Sequence, residues 1–355
     1  MGVNSRTTIL IGIALAIVML MIAGSVPAQN GFGISFHAFQ DSRGVTVLSP
    51  DAVVTRDFTD RTALRIKFGV DAITAASDSC ARCHPQGANN SRVVGGVSMV
   101  RKYGDTKWTV GGEISKEQFY SASTFLTSAS RDLNKGNTTV AGGFSYSLNQ
   151  PQLHPSRTSE IQHSIDASGS VSQSWSKTTI TQVGYELNQI NGYQSSPFLR
   201  TSVNGVMTVG QAPGARTRHA FTARLRQALP AQTFLEADYR RYLDSWSVDS
   251  NALSIGLSHH FGDRVIGGGS YRWYDQTGAF FYGPSYTGSP QYFTGDFRLF
   301  PFNSDQYTAH VDITPKRGLF MMPPGTTLRL QYERYLATTG FQAGVFTAGF
   351  QIPLK

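Results

Sequence analysis

Apolar and polar residues alternate with a period of two through most of the chain. From Leu64 to Ala72 the apolar set is Leu64, Ile66, Phe68, Val70 and Ala72, and Arg65, Lys67, Gly69 and Asp71 lie between them. In an extended chain these two sets point to opposite sides. The pattern returns at Trp108–Ser115, Val140–Leu148, Phe221–Arg226 and Leu235–Arg240. It returns again at Phe293–Leu299, where Thr294, Asp296 and Arg298 form the polar set, and at Tyr307–Ile313, where His310 and Asp312 do. Leu328–Glu333 and Val345–Leu354 complete the series. No segment beyond the N-terminus carries a helical period or an apolar run of membrane-helix length, about 20 residues. The pattern therefore predicts an all-β chain with about fifteen strands between Thr62 and Leu354, preceded by one extended segment from Ile34 to Phe58.

A soluble sandwich and a membrane barrel share this alternation, and three features favour the barrel. Residues 1–28 read as a secretory signal: Arg6, an apolar run from Ile9 to Ala23, and Val26-Pro27-Ala28 before Gln29. Aromatic residues gather near strand ends, as interfacial girdles require. The final apolar set Phe346, Ala348, Phe350, Ile352 and Leu354 is that of a closing strand. The predicted fold is a transmembrane antiparallel β-barrel of the outer-membrane type with about 14–16 strands, an even number being the rule for such chains. Its expected divisions are a signal peptide at 1–28, an N-terminal extended segment or first strand at 29–61, and the barrel at 62–355. Long connections fall at residues 75–92, 149–160, 189–215 and 275–290. Strand parity counted back from the C-terminus puts them on the periplasmic side, against the usual arrangement of short periplasmic turns.

Composition adds support rather than direction. Glycine (36), tyrosine (15) and phenylalanine (22) are abundant, and 40% of residues are hydrophobic, which suits strands and turns better than helices. The formal charge is +8, or +7 once Arg6 is removed, without the Lys/Arg runs of a nucleic-acid patch. Arg65, Lys67, Asp71, Glu113, Asp238, Arg240, Arg272, Asp296, Arg298 and His310 are expected to face the lumen. They either bind an anionic ligand or partner, or form a cross-strand ladder of ion pairs that holds the wall. No catalytic constellation stands out among so many serines.

The chain has two cysteines, and both lie in Cys80-Ala81-Arg82-Cys83-His84. This is the spacing of covalent c-type haem attachment. Two thiols three residues apart reach the two vinyl groups of one haem, and the adjacent imidazole reaches the iron. On this reading Cys80 and Cys83 hold one haem c and His84 is its proximal axial ligand. A local Cys80–Cys83 disulfide in an oxidising compartment and a metal site short of a fourth ligand are the competing readings. The sixth haem ligand is open: His310, His154, His163, His219, His259, His260 and Met99 are candidates.

Several stretches resemble an uncharacterised family of Gram-negative outer-membrane proteins, catalogued as a domain of unknown function. They are Val70–Ser77, Ser115–Glu117, Asn137–Thr139, Gly192–Phe198, Ala237–Trp246, Tyr271–Gln276, Ala279–Tyr282 and Asp296–Leu299. The resemblance implies an outer-membrane barrel and no established activity, and it singles out Asp238, Arg240, Asp244, Gln276, Asp296 and Arg298. The expected function is electron transfer at or across the outer membrane by a barrel with one covalent haem. A single haem does not bridge a hydrocarbon core of about 30 Å, so a redox partner such as a cytochrome is required. Outer-membrane lipid and the barrel-assembly machinery are further expected partners, and nucleic acid is not. The alternatives are a haem-free pore or transport barrel with a Cys80–Cys83 disulfide, and a structural barrel without lumen chemistry.

Overall fold

The computed structural model describes residues 30–73, 90–151, 160–196, 199–318 and 322–354. The expected signal segment, the Cys80–His84 motif and His154 lie outside them. The first strands are β1 (Asn30–Asp41), β2 (Thr46–Thr59), β3 (Thr62–Ile73), β4 (Asn90–Tyr103), β5 (Thr106–Lys116) and β6 (Tyr120–Leu133). They continue as β7 (Thr138–Pro151), β8 (Gln162–Ser174) and β9 (Thr179–Gly192). Two short loop strands follow, β10 (Arg200–Val203) and β11 (Val206–Val209). Then come β12 (Ala215–Leu229), β13 (Thr233–Asp244), β14 (Asp249–Phe261), β15 (Val265–Gln276) and the loop strand β16 (Ser285–Tyr286). The last three are β17 (Phe302–Ile313), β18 (Thr327–Ala337) and β19 (Gln342–Leu354).

Leaving out β10, β11 and β16, the other sixteen strands form one closed antiparallel barrel, sealed by β1 against β19 from Asn30↔Leu354 to Asp41↔Ala343. Strands of 11 to 15 residues exceed the 9–11 that a tilted strand needs to cross a bilayer. The apolar sets of the sequence form the outer surface: Ile66, Val110, Phe144, Phe221, Ile255, Tyr307 and Phe346 are all more than a third exposed. A water-soluble monomer does not display apolar surface on this scale. At the seam, Phe32, Ile34, Ala52, Ile352 and Leu354 form a buried apolar cluster with Met322 packed on it.

The polar sets line the lumen and pair between nearby strands along its wall. Lys67 Nζ lies 3.1 Å from Glu113 Oε2. Arg224 Nε and Arg226 Nη1 lie 3.2 and 3.0 Å from the Asp238 carboxylate, and Arg240 Nη2 lies 3.2 Å from Glu186. Arg329 clamps Asp312 with two hydrogen bonds of 2.6 Å. Each exposed pair is worth little alone. Together they let a wall of charged residues stand around water with its charge largely matched.

Three sequence expectations change. The segment Ile34–Phe58 is two strands, because Ser42-Arg43-Gly44 turns the chain and Gly44 takes a φ of +81°, which a side chain resists. Phe293–Leu299 is no strand: it is a loop ending in a 3₁₀ turn at Phe297–Leu299, with Asp296 as its N-cap accepting from Arg298 N. Its alternation reflects packing inside a folded loop rather than a wall of the barrel. Fourteen strands therefore follow Thr62, and two precede it. Removing the false strand also reverses the parity upstream of it. The connections 73–90, 151–162, 192–215 and 276–302 then share the end opposite both chain termini, while the termini's end has short turns apart from 313–327.

The outward placement of Ile255, at the middle of β14 and 48% exposed, is directly testable. Ile255→Arg is expected to lower the free energy of folding into liposomes by about 2–4 kcal/mol. Ser254→Arg, on the lumen face one residue away, should cost well under half of that. Equal losses in denaturant titrations would contradict the assignment of faces.

Candidate functional site

The two longest described connections fold together into a cap at the loop end. β10 pairs with β11 antiparallel and with β16 in parallel, Ser202 opposite Ser285. The hairpin tip Asn204 donates to Gly288 O (2.7 Å) and accepts from Gly288 N (2.8 Å), so one side chain fastens two loops 84 residues apart. Inside the cap Trp246, Val248, Ala279, Phe281 and Leu299 are buried in one cluster, with the Trp246 and Phe281 rings edge-on at 5.0 Å. A loop that builds its own apolar core holds one conformation.

The cap is fastened to the wall at Asp244, whose side chain is fully buried. One carboxylate oxygen accepts from the backbone N–H of Trp246 (2.8 Å) and Val248 (3.0 Å). The other accepts from Tyr242 Oη (2.7 Å) and from the Arg216 guanidinium, itself only 10% exposed. Arg216 also lies flat against Trp246, its Cζ 4.1 Å from the ring centroid, and Trp246 Nε1 donates to Ala215 O. Every acceptor of the buried charge is thus occupied, which is the condition for a buried ion pair to be tolerated. On the other side, Gln276 donates to the carbonyls of Arg298 (2.9 Å) and Phe300 (2.7 Å) and so ties the 3₁₀ turn to β15.

Beneath the cap lies a cavity of about 800 Å³, within the range of small-molecule sites. Its walls are the ring pairs Tyr274–Phe302, Tyr282–Phe300 and Tyr335–Phe341, with centroids 5.3–5.9 Å apart. Arg43 of the β1–β2 turn packs on two of the lining rings, its guanidinium 4.1 Å from the Phe297 centroid and 5.2 Å from that of Phe341. Arg272 and Arg298 are the charged residues of the lining, which has no acidic member. Arg298 is held bidentate by Asp296, at 2.9 and 2.6 Å, and these hydrogen bonds raise its pKa against the opposing effect of burial. Burial, then the nearby Tyr286 and Asp296, push the Tyr282 phenol up, so it stays a neutral hydroxyl at physiological pH. Tyr274, Gln276 and Arg298 are shared with a second cavity of about 460 Å³ nearer the axis, which Arg216, Arg218 and Arg240 also line.

Asp238 and Arg240 are thus ladder residues, Arg272 and Arg298 border the cavity, and Asp296 caps a turn. His310 lies in the lumen toward the termini, its imidazole lying across Gly268, where a Cβ would come within 2.6 Å of it. His163 and His219 bond the tyrosines Tyr146 (2.7 Å) and Tyr185 (2.8 Å) of the outer surface. Met99 is also outward. His37 was not among the sequence candidates. It faces the lumen, bonded to Thr347 (2.9 Å) and Asp51 (3.1 Å). It stands two residues along β1 from Phe39, and the register Phe39↔Val47↔Ile73 runs to where β3 ends. Arg216, Arg218 and the cap aromatics were likewise missed, since only the cap brings them together.

This fold is that of an outer-membrane β-barrel. The chain belongs to the family described as "Protein of unknown function (DUF3570)", whose model matches residues 151–335. No curated protein matches the sequence. Among solved structures, a bacterial polysaccharide outer membrane secretin aligns with a TM-score of 0.55 at 10% identity, over 93% of this chain and 100% of that one. OccK8 (OprE) of Pseudomonas aeruginosa gives 0.50 at 9% identity, over 94% and 100%. The siderophore receptor PirA from the same organism gives 0.47 at 10% identity, over 87% of this chain but only 56% of that one.

If Asp244 fastens the cap, Asp244→Ala should cost about 3–5 kcal/mol of local stability, the usual result of stranding one partner of a buried pair. Limited proteolysis is expected to cut 193–214 and 277–301 in the variant while the barrel keeps its heat-modifiable gel mobility. Unchanged protection of both loops would sink the idea.

Proposed function

We propose that the protein resides in the Gram-negative outer membrane, reaches it through the periplasm after loss of residues 1–28, and carries one haem c used in electron transfer with a partner cytochrome. The observation that carries this reading is Cys80-Ala81-Arg82-Cys83-His84, the donor set that covalent haem attachment requires. The thiols of Cys80 and Cys83 would supply the thioether bonds and His84 the proximal nitrogen, and the haem would supply a one-electron couple. With the long loops outside the cell and the termini in the periplasm, β3 ends and β4 begins on the outer side, and the motif belongs to the connection between them.

Covalent connectivity bounds where the haem sits. Six residues lie between Ile73 and Cys80, and these seven steps of chain reach at most roughly 25 Å. A tilted strand of this length spans on the order of 30–35 Å along the barrel axis. That reach falls short of the whole wall, and one haem does not by itself bridge a hydrocarbon core of about 30 Å, so a second carrier must deliver or remove electrons. The competing reading is a transport barrel with a Cys80–Cys83 disulfide, favoured by the polar lumen and by the cavity beneath the cap.

Protein matured in a host with cytochrome c assembly machinery is expected to keep one haem through denaturing electrophoresis and to show a pyridine haemochrome spectrum. Cys83→Ala should abolish the stain without changing heat-modifiable mobility. A folded, colourless wild-type barrel would overturn electron transfer and leave the transport reading, to be followed by single-channel conductance.

A further inference from the structure

The charge ladder of the lumen leaves some basic side chains without an acidic partner, and two of these border the cavities under the cap. Arg272 enters no ion pair among the described residues. Its guanidinium stands 5.8 Å from the Tyr274 ring centroid and borders the 800 Å³ cavity. Arg218, which borders the adjoining cavity, is another without an ion pair: its cross-strand partner Asp244 is already taken by Arg216, and its buried Nε has no hydrogen-bond partner. An unpaired guanidinium is a fork of donors suited to a carboxylate. The rest of the cavity supplies no competing anion and seven aromatic rings. Rings stacked or edge-on around a space of this size favour a flat apolar body. Gln306, opposite Arg272 in the β15–β17 register, and Ser304, opposite Tyr274, add polar groups beside Arg272 without adding charge.

We propose that this cavity binds a small planar aromatic carboxylate, with Arg272 as its charge partner and the Tyr274–Phe302 and Tyr282–Phe300 pairs against its rings. The Asp296–Arg298 pair forms the neutral far wall, because its charge is internally matched. Arg218 continues the positive path toward the lumen. None of these residues lies in the connection between β3 and β4, so the site stands whether or not the chain carries haem.

Calorimetry on the full-length protein in a non-ionic detergent tests this with three probes: 2-naphthoate, its neutral analogue 2-naphthalenemethanol, and cyclohexanecarboxylate. Saturable binding of 2-naphthoate is expected, with the neutral and the non-aromatic probes each about tenfold weaker. Arg272→Gln should weaken 2-naphthoate about tenfold and leave the alcohol unchanged, while Arg272→Lys, which keeps the charge but not the fork, should weaken it less. Heat-modifiable mobility verifies that each variant is folded. Should Arg272→Gln fail to fold, the three-probe comparison on the wild type decides alone. No saturable binding, equal affinity for acid and alcohol, or a folded Arg272→Gln that binds 2-naphthoate as the wild type does would each overturn the proposal.

Discussion

A backbone amide or carbonyl left unpaired in hydrocarbon costs several kcal/mol, so a sheet in a membrane cannot have an edge. The pairing of β1 with β19 over the full 12 residues of β1 removes both edges at once. Everything else rests on that closure. It demands an even number of antiparallel strands, places both termini at one end, and divides each strand into an outer and an inner set of side chains. The apolar cluster at the seam, Phe32 and Ile34 against Ile352 and Leu354, gives the two ends of the sequence a shared reason to meet. Closure also decides where function can lie. With the outside given to lipid, chemistry is left the lumen, the loops and the turns.

The lumen and the cap solve the burial of charge differently. Along the wall Lys67, Arg224, Arg226, Arg240 and Arg329 meet carboxylates in the presence of water, where pairing is cheap and each contact contributes little. At the rim Asp244 is removed from water altogether, which is affordable only because two backbone amides, a tyrosine and an arginine share its oxygens. This difference gives the family blocks a physical meaning. Ala237–Trp246, Tyr271–Gln276, Ala279–Tyr282 and Asp296–Leu299 are distant in sequence, yet they contribute Asp244, Gln276, Phe281 and Asp296 to one cap. A role in folding the loops accounts for these side chains without assigning them chemistry.

Much of the fold was legible because lipid enforces period two on one face of every wall strand. Residues such as Ile66, Val110 and Tyr332 announce their strands individually, and the alternation needs no tertiary context. The two errors arose where that constraint does not apply. In Phe293–Leu299 the apolar residues serve a loop core, and alternation there is produced by packing of a turn against β15. In Ile34–Phe58 the reversal depends on the short turn before Val45, too brief to interrupt the pattern. The candidate site was less legible for a different reason. Arg272 and Arg298 could be read as inward or polar, but their unlike fates, one unpaired and one locked to Asp296, depend on neighbours that the cap brings from elsewhere.

The cap and the connection that carries Cys80–His84 start from one end of the barrel for a common reason. Turns at the termini's end are mostly short and leave little chain to build with, whereas the opposite end has the connections 73–90, 192–215 and 276–302. The cap consumes two of these and reaches β1 through Arg43, whose guanidinium lies between Phe297 and Phe341. The connection after β3 begins two strands from that contact, since Phe39 of β1 is in register with Val47 of β2 and Val47 with Ile73. At about 4.8 Å per strand the start of that connection is on the order of 10 Å around the rim from β1. The connection that carries Cys80, Cys83 and His84 thus starts close to the part of the rim that the cap already contacts. A redox group on that connection and an aromatic anion beneath the cap would share no ligand, so each can be removed by mutation while the other is kept.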